Sequence, residues 1–407
     1  MEKEENKLTG YFENYLKQEP LFLDKKVLQS NYYPENILHR EEQIQKVAAI
    51  MAPALRGEKP SNMFIYGKTG SGKTLTIKHV CENMMEIAKK NSLKVNIFYL
   101  NCKLKRVSDT EYRLIAELAR ALNTEIPATG LPTDEVYKMF INTLEKQNIL
   151  MIIVLDEIDQ LVSKSGDQIL YSLTRINSEL KNSQVAIVGV SNDLVFADNL
   201  DPRIKSSLSE EEVVFSPYNA LQLQSILKER AKLAFKDNII EEGVIEKCSA
   251  YAAREHGDAR RALELLRVSG EVAERENSEK VKISHIDMAE ERIEKERVLD
   301  IIAGQPKQTQ LALYSIVVLD PKPQQTIYTG EVYEIYKKLC YKTNVRPLTM
   351  RRLSDIIGEL DMFGIINTKT ISKGRYGRTR EINLAVPKYL YPNVKKILEE
   401  SLEIQNE

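Results

Sequence analysis

Short apolar runs alternate with amphipathic stretches through the first half of the chain. Runs with the character of buried strands occupy residues 63–66, 95–100, 149–155, 185–190 and 212–215. Apolar residues recur at helical spacing around them, notably over residues 36–55, 111–122 and 133–146. Short apolar strands separated by helices indicate a mainly parallel sheet that is covered by helices on both faces. The pattern therefore predicts an α/β domain.

The strand pattern stops near Pro217, and the rest of the chain divides into two further regions. Four consecutive amphipathic helices are predicted at residues 220–234, 242–256, 259–274 and 284–298. After a Gly-Gln-Pro break at 304–306, the predicted order is helix, helix, helix, strand, turn, strand. We expect a sheet domain with an N-terminal arm at 1–216, a helical lid at 217–303 and a third domain at 304–407.

A glycine-rich turn joins the first predicted strand to the helix that follows it. Its eight residues match the phosphate-binding loop pattern in full: Gly67, Lys68, Thr69, Gly70, Ser71, Gly72, Lys73 and Thr74. Such a turn and the helix N-terminus surround phosphate oxygens with backbone N–H groups. Lys73 is expected to reach the outer phosphates, and the Thr74 hydroxyl to ligate Mg²⁺. The loop predicts a nucleoside triphosphate site.

Polar residues follow two other predicted strands at their carboxyl ends. Asp156 and Glu157 come directly after the third strand, and Asn192 follows the fourth. Beside a phosphate loop, Asp156 is expected to hold Mg²⁺ and Glu157 to orient and polarise the attacking water. The Asn192 amide fits a hydrogen bond to the γ-phosphate or that water, and a simple turn residue fits equally. With Lys73, these residues are the catalytic candidates for NTP hydrolysis.

The net charge of −1 over 407 residues conceals an asymmetry. Residues 305–390 hold 14 Lys/Arg against 7 Asp/Glu, so this segment carries +7 and the remainder −8. The split indicates a polyanion-binding module, with a solvated basic face as the alternative. The four cysteines and four histidines lack zinc-site spacing, and no signal-peptide core or membrane-length apolar run occurs. We expect reduced thiols in a cytoplasmic, nucleoid-associated protein.

The basic segment has the pattern of a winged helix. Thr349 is the expected cap of a helix whose apolar stripe leaves Arg351 and Arg352 off the core face. The hairpin after it holds five cations and no acid between residues 369 and 380. Such a helix can enter the major groove of DNA while the hairpin follows the backbone or minor groove, although many winged helices bind proteins instead. The DNA-binding candidates are Arg351, Arg352, Lys373, Arg375, Tyr376 and Arg378.

Four motifs, in this order, resemble those of AAA+ ATPases: GKTGSGKT at 67–74, VLDEID at 154–159, VGVSN at 188–192 and GDARRAL at 257–263. YYPE at 32–35 with HRE at 39–41, LDPR at 200–203 and GRYGRT at 374–379 make the chain most similar to the archaeal replication initiators. These are homologues of the largest subunit of the eukaryotic origin recognition complex and of its cell-division-control loader relative. The resemblance spans residues from about 15 to 390, and it implies an AAA+ domain, a helical lid and a C-terminal winged helix.

The resemblance also implies roles for individual residues. Asn192 takes the sensor-one position and Arg260 the sensor-two position, with Arg261 as the near alternative. Residues near His39 are implied to line the adenine pocket. The lid-side ATP contacts are implied to be Tyr218, against the base, and Arg230, against phosphate.

The segment 193–207 matches an initiator-specific helical insertion that contacts DNA in this family. Within it, Asp201 is a predicted N-cap and proline follows at the first helical position. Arg203 and Lys205 are therefore DNA-binding candidates. For Arg203, a finger toward a neighbour's ATP and a plain surface helix stay open.

The expected function is that of a replication initiator with slow, switch-like ATP hydrolysis. The expected cofactors are ATP or ADP with Mg²⁺, and the expected partners are double-stranded origin DNA, the replicative helicase, and a paralogous initiator or a second copy of the chain. A signalling ATPase with an internally packed winged helix is one alternative. A clamp-loader-like or chaperone subunit that uses the winged helix for protein contacts is another. Both leave the cationic hairpin unexplained.

Overall fold

The computed structural model describes residues 19–103, 110–127, 130–319, 327–372 and 378–404. The chain forms two compact units, Met1–Ile286 and Asp287–Glu407. The predicted boundary between sheet domain and lid lies inside the first unit, so the three-domain division stays a prediction.

The first unit is built on a five-stranded parallel sheet in the order β2-β3-β4-β1-β5. Every residue of β3 is buried, because helices cover both faces of the sheet. All carboxyl ends of the strands meet at one edge. The predicted α/β fold is confirmed, and the strands are β1 (Met63–Gly67), β2 (Val95–Asn101), β3 (Leu150–Asp156), β4 (Gln184–Ser191) and β5 (Glu211–Phe215).

Seven helices accompany this sheet in the described part of the unit: α1 (Glu41–Met51), α2 (Lys73–Lys90), α3 (Glu111–Ala121), α4 (Thr133–Gln147), α5 (Ile158–Ser165), α6 (Gln168–Arg175) and α7 (Pro202–Leu208). The helix predicted at 36–55 is wrong at its start, since α1 begins only at Glu41. His39 has a φ of 59°, which an α-helix does not accept, so the preceding residues form a loop. A 3₁₀ turn, Ala52–Arg56, completes the other end.

The predicted lid helices are confirmed as α8 (Ala220–Ala234), α9 (Val244–Arg254) and α10 (Ala259–Arg275), followed by α11 (Ile283–Ala303). Asp258 caps α10 as predicted, because its carboxylate accepts hydrogen bonds from the Arg260 and Arg261 backbone N–H groups. The first unit ends within α11.

The second unit is a winged helix. Its elements are α12 (Lys307–Leu319), β6 (Ile327–Tyr328), α13 (Thr329–Lys342), α14 (Met350–Met362), β7 (Ile366–Ser372), β8 (Arg378–Leu384) and α15 (Tyr391–Leu402). The strands pair antiparallel in the order β6-β8-β7. Thr349 caps α14, and Leu353, Ile356, Ile357 and Leu360 form its buried stripe as predicted. Within the described residues, no helix combines the length and apolarity needed to cross a bilayer.

Candidate nucleotide-binding site and nucleic-acid interface

The phosphate loop joins β1 to α2, with left-handed backbone at Gly70 (φ 70°) and Gly72 (φ 92°). A Cβ on Gly70 would lie 1.7 Å from Asp258 Oδ1, and one on Gly72 would lie 2.8 Å from the Tyr218 hydroxyl oxygen. Both positions therefore require glycine for conformation and for space. The loop therefore packs directly against two parts of the lid, Tyr218 near its start and Asp258 at the cap of α10.

Lys73 is the most buried cation of the loop, with 5% of its surface exposed. Its Nζ donates to the carbonyl oxygens of Gly67 at 2.7 Å and Lys68 at 2.8 Å. Burial lowers the pKa of Lys73 to about 8, although the nearby Asp156 carboxylate favours the charged form. Because neutral carbonyls rather than an acid hold this ammonium, a bound triphosphate would stabilise its charge strongly.

Thr74 and Asp156 bring oxygen donors together beside the loop. The Thr74 hydroxyl donates to Asp156 Oδ2 at 2.8 Å, and the Tyr99 hydroxyl donates to the same oxygen at 2.6 Å. Asp156 is 1% exposed, and its Oδ1 accepts from the Glu157 backbone N–H at 3.0 Å. A buried carboxylate beside a hydroxyl is a donor set that suits Mg²⁺, which prefers oxygen.

Glu157 follows β3 in the left-handed region, with a φ of 54°. Such a conformation is unusual for a glutamate, and strain of this kind is common at functional sites. Its carboxylate lies 3.8 Å from Lys103 Nζ. Glu157 and Asn192 both line the same cavity, so the structure brings the predicted catalytic side chains together at the carboxyl edge of the sheet.

The cavity beside the phosphate loop has a volume of about 300 Å³. Its walls come from the arm and the loop after it, the phosphate loop with the first turn of α2, the carboxyl ends of β3 and β4, and the lid. Residues implied to be near the adenine base contribute through Ile37 and Leu38, next to His39. A cavity of this size with polar groups at one end is typical of a small-ligand site.

Arg230 enters the cavity from α8 and is 8% exposed. Its Cζ lies 4.4 Å from the centre of the Tyr32 ring, a stacking contact with the arm. Its Nη1 is buried without a hydrogen-bond partner in the described structure, and burial lowers its pKa. Buried donors are normally paired, so this nitrogen matches a group such as phosphate that the protein itself does not supply.

Arg260 and Arg261 differ in position, although they are adjacent at the start of α10. Arg260 is exposed, lines the cavity and contributes to the electrostatic environment of Lys73. Arg261 Nε donates to Glu255 at 3.1 Å and its Nη1 lies 3.9 Å from Glu264. The geometry favours Arg260 for the sensor-two role, which stays a prediction.

Tyr218 is 5% exposed, and its ring is covered on one side by Arg40, whose Cζ lies 3.9 Å from the ring centre. Tyr218 also lines the cavity. Sequence reasoning placed Arg40 only within the HRE phrase and gave it no role of its own. Its position beside His39, in a stretch that the resemblance assigns to the base pocket, was the signal available.

Sequence reasoning also did not predict that the N-terminal arm packs on the lid. Phe22 stacks on Phe235 with ring centres 4.4 Å apart, and both rings fill the space that a side chain on Gly270 would need. Lys25 Nζ lies 2.7 Å from Glu274. The arm therefore packs on α8 and α10 before it passes the cavity toward α1.

The cations of α7 pair with acids of their own segment. The Arg203 guanidinium donates to both carboxylate oxygens of Asp201 at 2.9–3.0 Å. These hydrogen bonds lower the pKa of Asp201 to about 2. Lys205 Nζ lies 2.6 Å from Asp198. Arg203 is exposed and Lys205 is half-buried.

On the winged helix, Arg351 and Arg352 are exposed at the start of α14. The Arg352 side chain is 59% exposed, with Nη1 3.7 Å from Asp355. Arg380 behaves differently, because its Nη1 donates to the Ser354 carbonyl at 2.9 Å and so holds β8 on α14. The candidates Lys373, Arg375 and Tyr376, and the side chain of Arg378, lie outside the described residues.

Three family models match the chain in the order of its predicted domains. The AAA family of ATPases associated with various cellular activities matches residues 63–217, the Cdc6 AAA+ ATPase-type lid domain 224–291, and the Cdc6 C-terminal winged helix domain 300–390. The chain therefore has an AAA ATPase domain, a helical lid and a winged helix.

Similar proteins cover nearly the whole chain. ORC1-type DNA replication proteins of Thermococcus onnurineus and Pyrococcus abyssi are 51% and 50% identical over 96% and 97% of this chain, and 94% of each relative. The structure of the Aeropyrum pernix ORC1 protein in complex with DNA is 43% identical, with a TM-score of 0.82 over 93% of this chain and 97% of that one. We conclude that the chain belongs to the family of ORC1-type DNA replication proteins.

Proposed function

We propose that this protein is an ATP-dependent replication initiator that binds origin duplex DNA and helps to recruit or load the replicative helicase. The observation that carries the proposal is the meeting of Lys73, Arg230 and Glu157 at one cavity, in a chain that also presents exposed arginines on a winged helix. A triphosphate site and a DNA-binding fold in one chain fit a nucleotide-controlled DNA-binding protein better than either alternative.

The cavity residues have complementary tasks in ATP hydrolysis. Lys73 and the loop N–H groups bind the phosphates, and Arg230 and Arg260 approach them from the lid. Thr74 and Asp156 would hold Mg²⁺, which when bound neutralises charge on the phosphates. Glu157 orients and polarises the attacking water, with Asn192 as a further hydrogen-bonding group.

We propose that hydrolysis acts as a slow switch. Because the lid contacts the phosphate loop at Gly70, loss of the γ-phosphate removes the ligand that Arg230 and Arg260 share with the loop. The lid position then depends on the nucleotide. Arg203, Lys205 and the winged-helix candidates provide the DNA contacts, with a paralogue or a second copy as a further partner on origin DNA.

The proposal is tested with Glu157→Gln in the full-length chain. We expect ATP affinity within about twofold of wild type and turnover at least 100-fold lower, since a positioned general base contributes roughly 10²–10⁴. The control is Glu86→Gln, at an exposed glutamate of α2, which should hydrolyse normally. Footprinting on genomic DNA should then show ATP-dependent protection by Glu157→Gln. Normal turnover in Glu157→Gln, or protection no stronger than on random DNA, would contradict the proposal.

A further inference from the structure

Arg40 is a buried arginine at the junction of three segments of the first unit, with 3% of its surface exposed. Its Nε donates to the Ser71 carbonyl in the phosphate loop at 2.8 Å. Its Nη2 donates to the Ser216 carbonyl, directly after β5, at 2.6 Å. One planar group thus joins the loop to the start of the connection into the lid.

The same guanidinium lies over the ring of Tyr218 and near that of Phe215. Its Cζ lies 3.9 Å from the ring centre of Tyr218 and 5.6 Å from that of Phe215. The Tyr218 hydroxyl in turn lies against Gly72 of the loop. Arg40 therefore contacts Tyr218 as well as the Ser71 and Ser216 carbonyls. The phosphate loop and the start of the lid are both held by this one side chain.

Arg40 has no carboxylate partner in the described part of the chain. Its third contact is Nη1 to the His39 carbonyl, at 3.3 Å. Burying a guanidinium without an acid is unfavourable, and carbonyls and rings compensate only in part. Arg261 shows the contrasting case, since two glutamates surround it. A buried charge without an acid, retained in direct contact with the phosphate loop, points to a role in binding rather than in stability.

We propose that Arg40 is a positioning residue for nucleotide binding, which holds the phosphate loop in the geometry set by Ser216 and Tyr218. This inference rests on the proposed ATP site. A loop held in place before the ligand arrives binds more tightly than one that must be ordered on binding. The planar shape of the Arg40 guanidinium should matter more for nucleotide affinity than its charge, because a lysine ammonium cannot bind both carbonyls in one plane.

The test compares Arg40→Lys and Arg40→Met with wild type in calorimetric titrations of ATP and ADP, well below each variant's melting temperature. We expect both variants to raise both Kd values roughly tenfold, as expected when a pre-organised contact is lost. Hydrogen exchange in the nucleotide-free variants should accelerate at residues 68–72 and at Ser216 and Tyr218 together. The matched control is Arg267→Lys, a lid arginine paired with Glu271, which should change neither.

Wild-type affinity in both Arg40 variants overturns the inference, and so does a lysine variant that binds normally while the methionine variant does not. If neither variant folds, the nucleotide-free wild type decides the question. In native-state hydrogen exchange, the phosphate loop and the segment around Ser216 should then show the same free energy of opening. Different free energies for the two segments would overturn the inference. Failure of the wild type to bind ATP would instead remove the proposed function itself.

Discussion

Two cations of the nucleotide cavity, Lys73 and Arg230, are buried, whereas the cations on the surface of α14 are exposed to solvent. Lys73 and Arg230 are 5% and 8% exposed, whereas the Arg352 side chain is 59% exposed. Burial lowers the pKa values of Lys73 and Arg230. The protein therefore keeps these two cavity cations desolvated, as binding of a small ligand of fixed shape would require. The α14 cations are hydrated, as the proposed release of water and counterions on binding a polyanion would require.

This difference predicts two kinds of binding energy. In the cavity, a few directed contacts in a poorly hydrated space dominate, so single substitutions have large effects. On the winged helix, affinity depends on counterion release, so effects are spread over many cations and depend on salt. Substitutions in one region should leave binding in the other region unchanged in the absence of the second ligand.

The largest effect is expected for Lys73→Ala. Removing the buried ammonium leaves the phosphates without their central charge-assisted contact, so we expect ATP affinity to fall at least 100-fold. Isothermal calorimetry on the full-length chain measures this. Nucleotide-free duplex binding in dilute buffer should stay at the wild-type level, and a parallel loss there would contradict the separation of the two regions.

A smaller effect is expected for Arg351→Ala combined with Arg352→Ala. Two lost phosphate contacts should weaken duplex binding roughly 10- to 100-fold and reduce the slope of log K against log salt by about 2. Fluorescence anisotropy over a salt series gives both values.

Lys396→Ala serves as the control for this pair, because Lys396 is an exposed cation of α15 beside Glu400. We expect it to leave the slope unchanged. An unaltered slope in the double arginine variant would exclude the start of α14 as the DNA-contacting surface.

The smallest effect is a pH dependence of ATP binding. The pKa of Lys73 is lowered to about 8, so the lysine is charged below that pH and loses its proton above it in the nucleotide-free protein. Since the triphosphate requires the charged form, Kd should be constant below pH 8 and rise up to about tenfold per pH unit above it. Calorimetry between pH 7 and 9.5 tests this, and a flat profile would contradict the assigned state of Lys73.

The local parts of the site were predictable from the sequence. Glycine spacing, strand periodicity and capping residues act over a few positions, and they located the loop, the two carboxylates and the caps Asp258 and Thr349. The buried stripe of α14 followed in the same way. These features depend on neighbouring residues alone, so the chain pattern carries them.

Contacts between distant segments were not predictable. Arg40 meets Ser216 across 176 positions, and Phe22 meets Phe235 across a similar separation. The predicted start of α1 was wrong because the His39 backbone has a left-handed conformation that no local sequence pattern indicates. The preference for Arg260 over Arg261, which stays a prediction, rests on Glu255 and Glu264, both of which lie beside Arg261.

We propose that the cavity beside the phosphate loop binds ATP through lid and loop together. A calorimetric titration of Mg²⁺·ATP into the wild type and into Arg230→Met tests this, because the methionine side chain keeps the packing but lacks the unpaired Nη1 donor. We predict one site per chain in the wild type and an affinity lower by about tenfold or more in the variant. No binding by the wild type, or equal affinity in both proteins, would contradict the account.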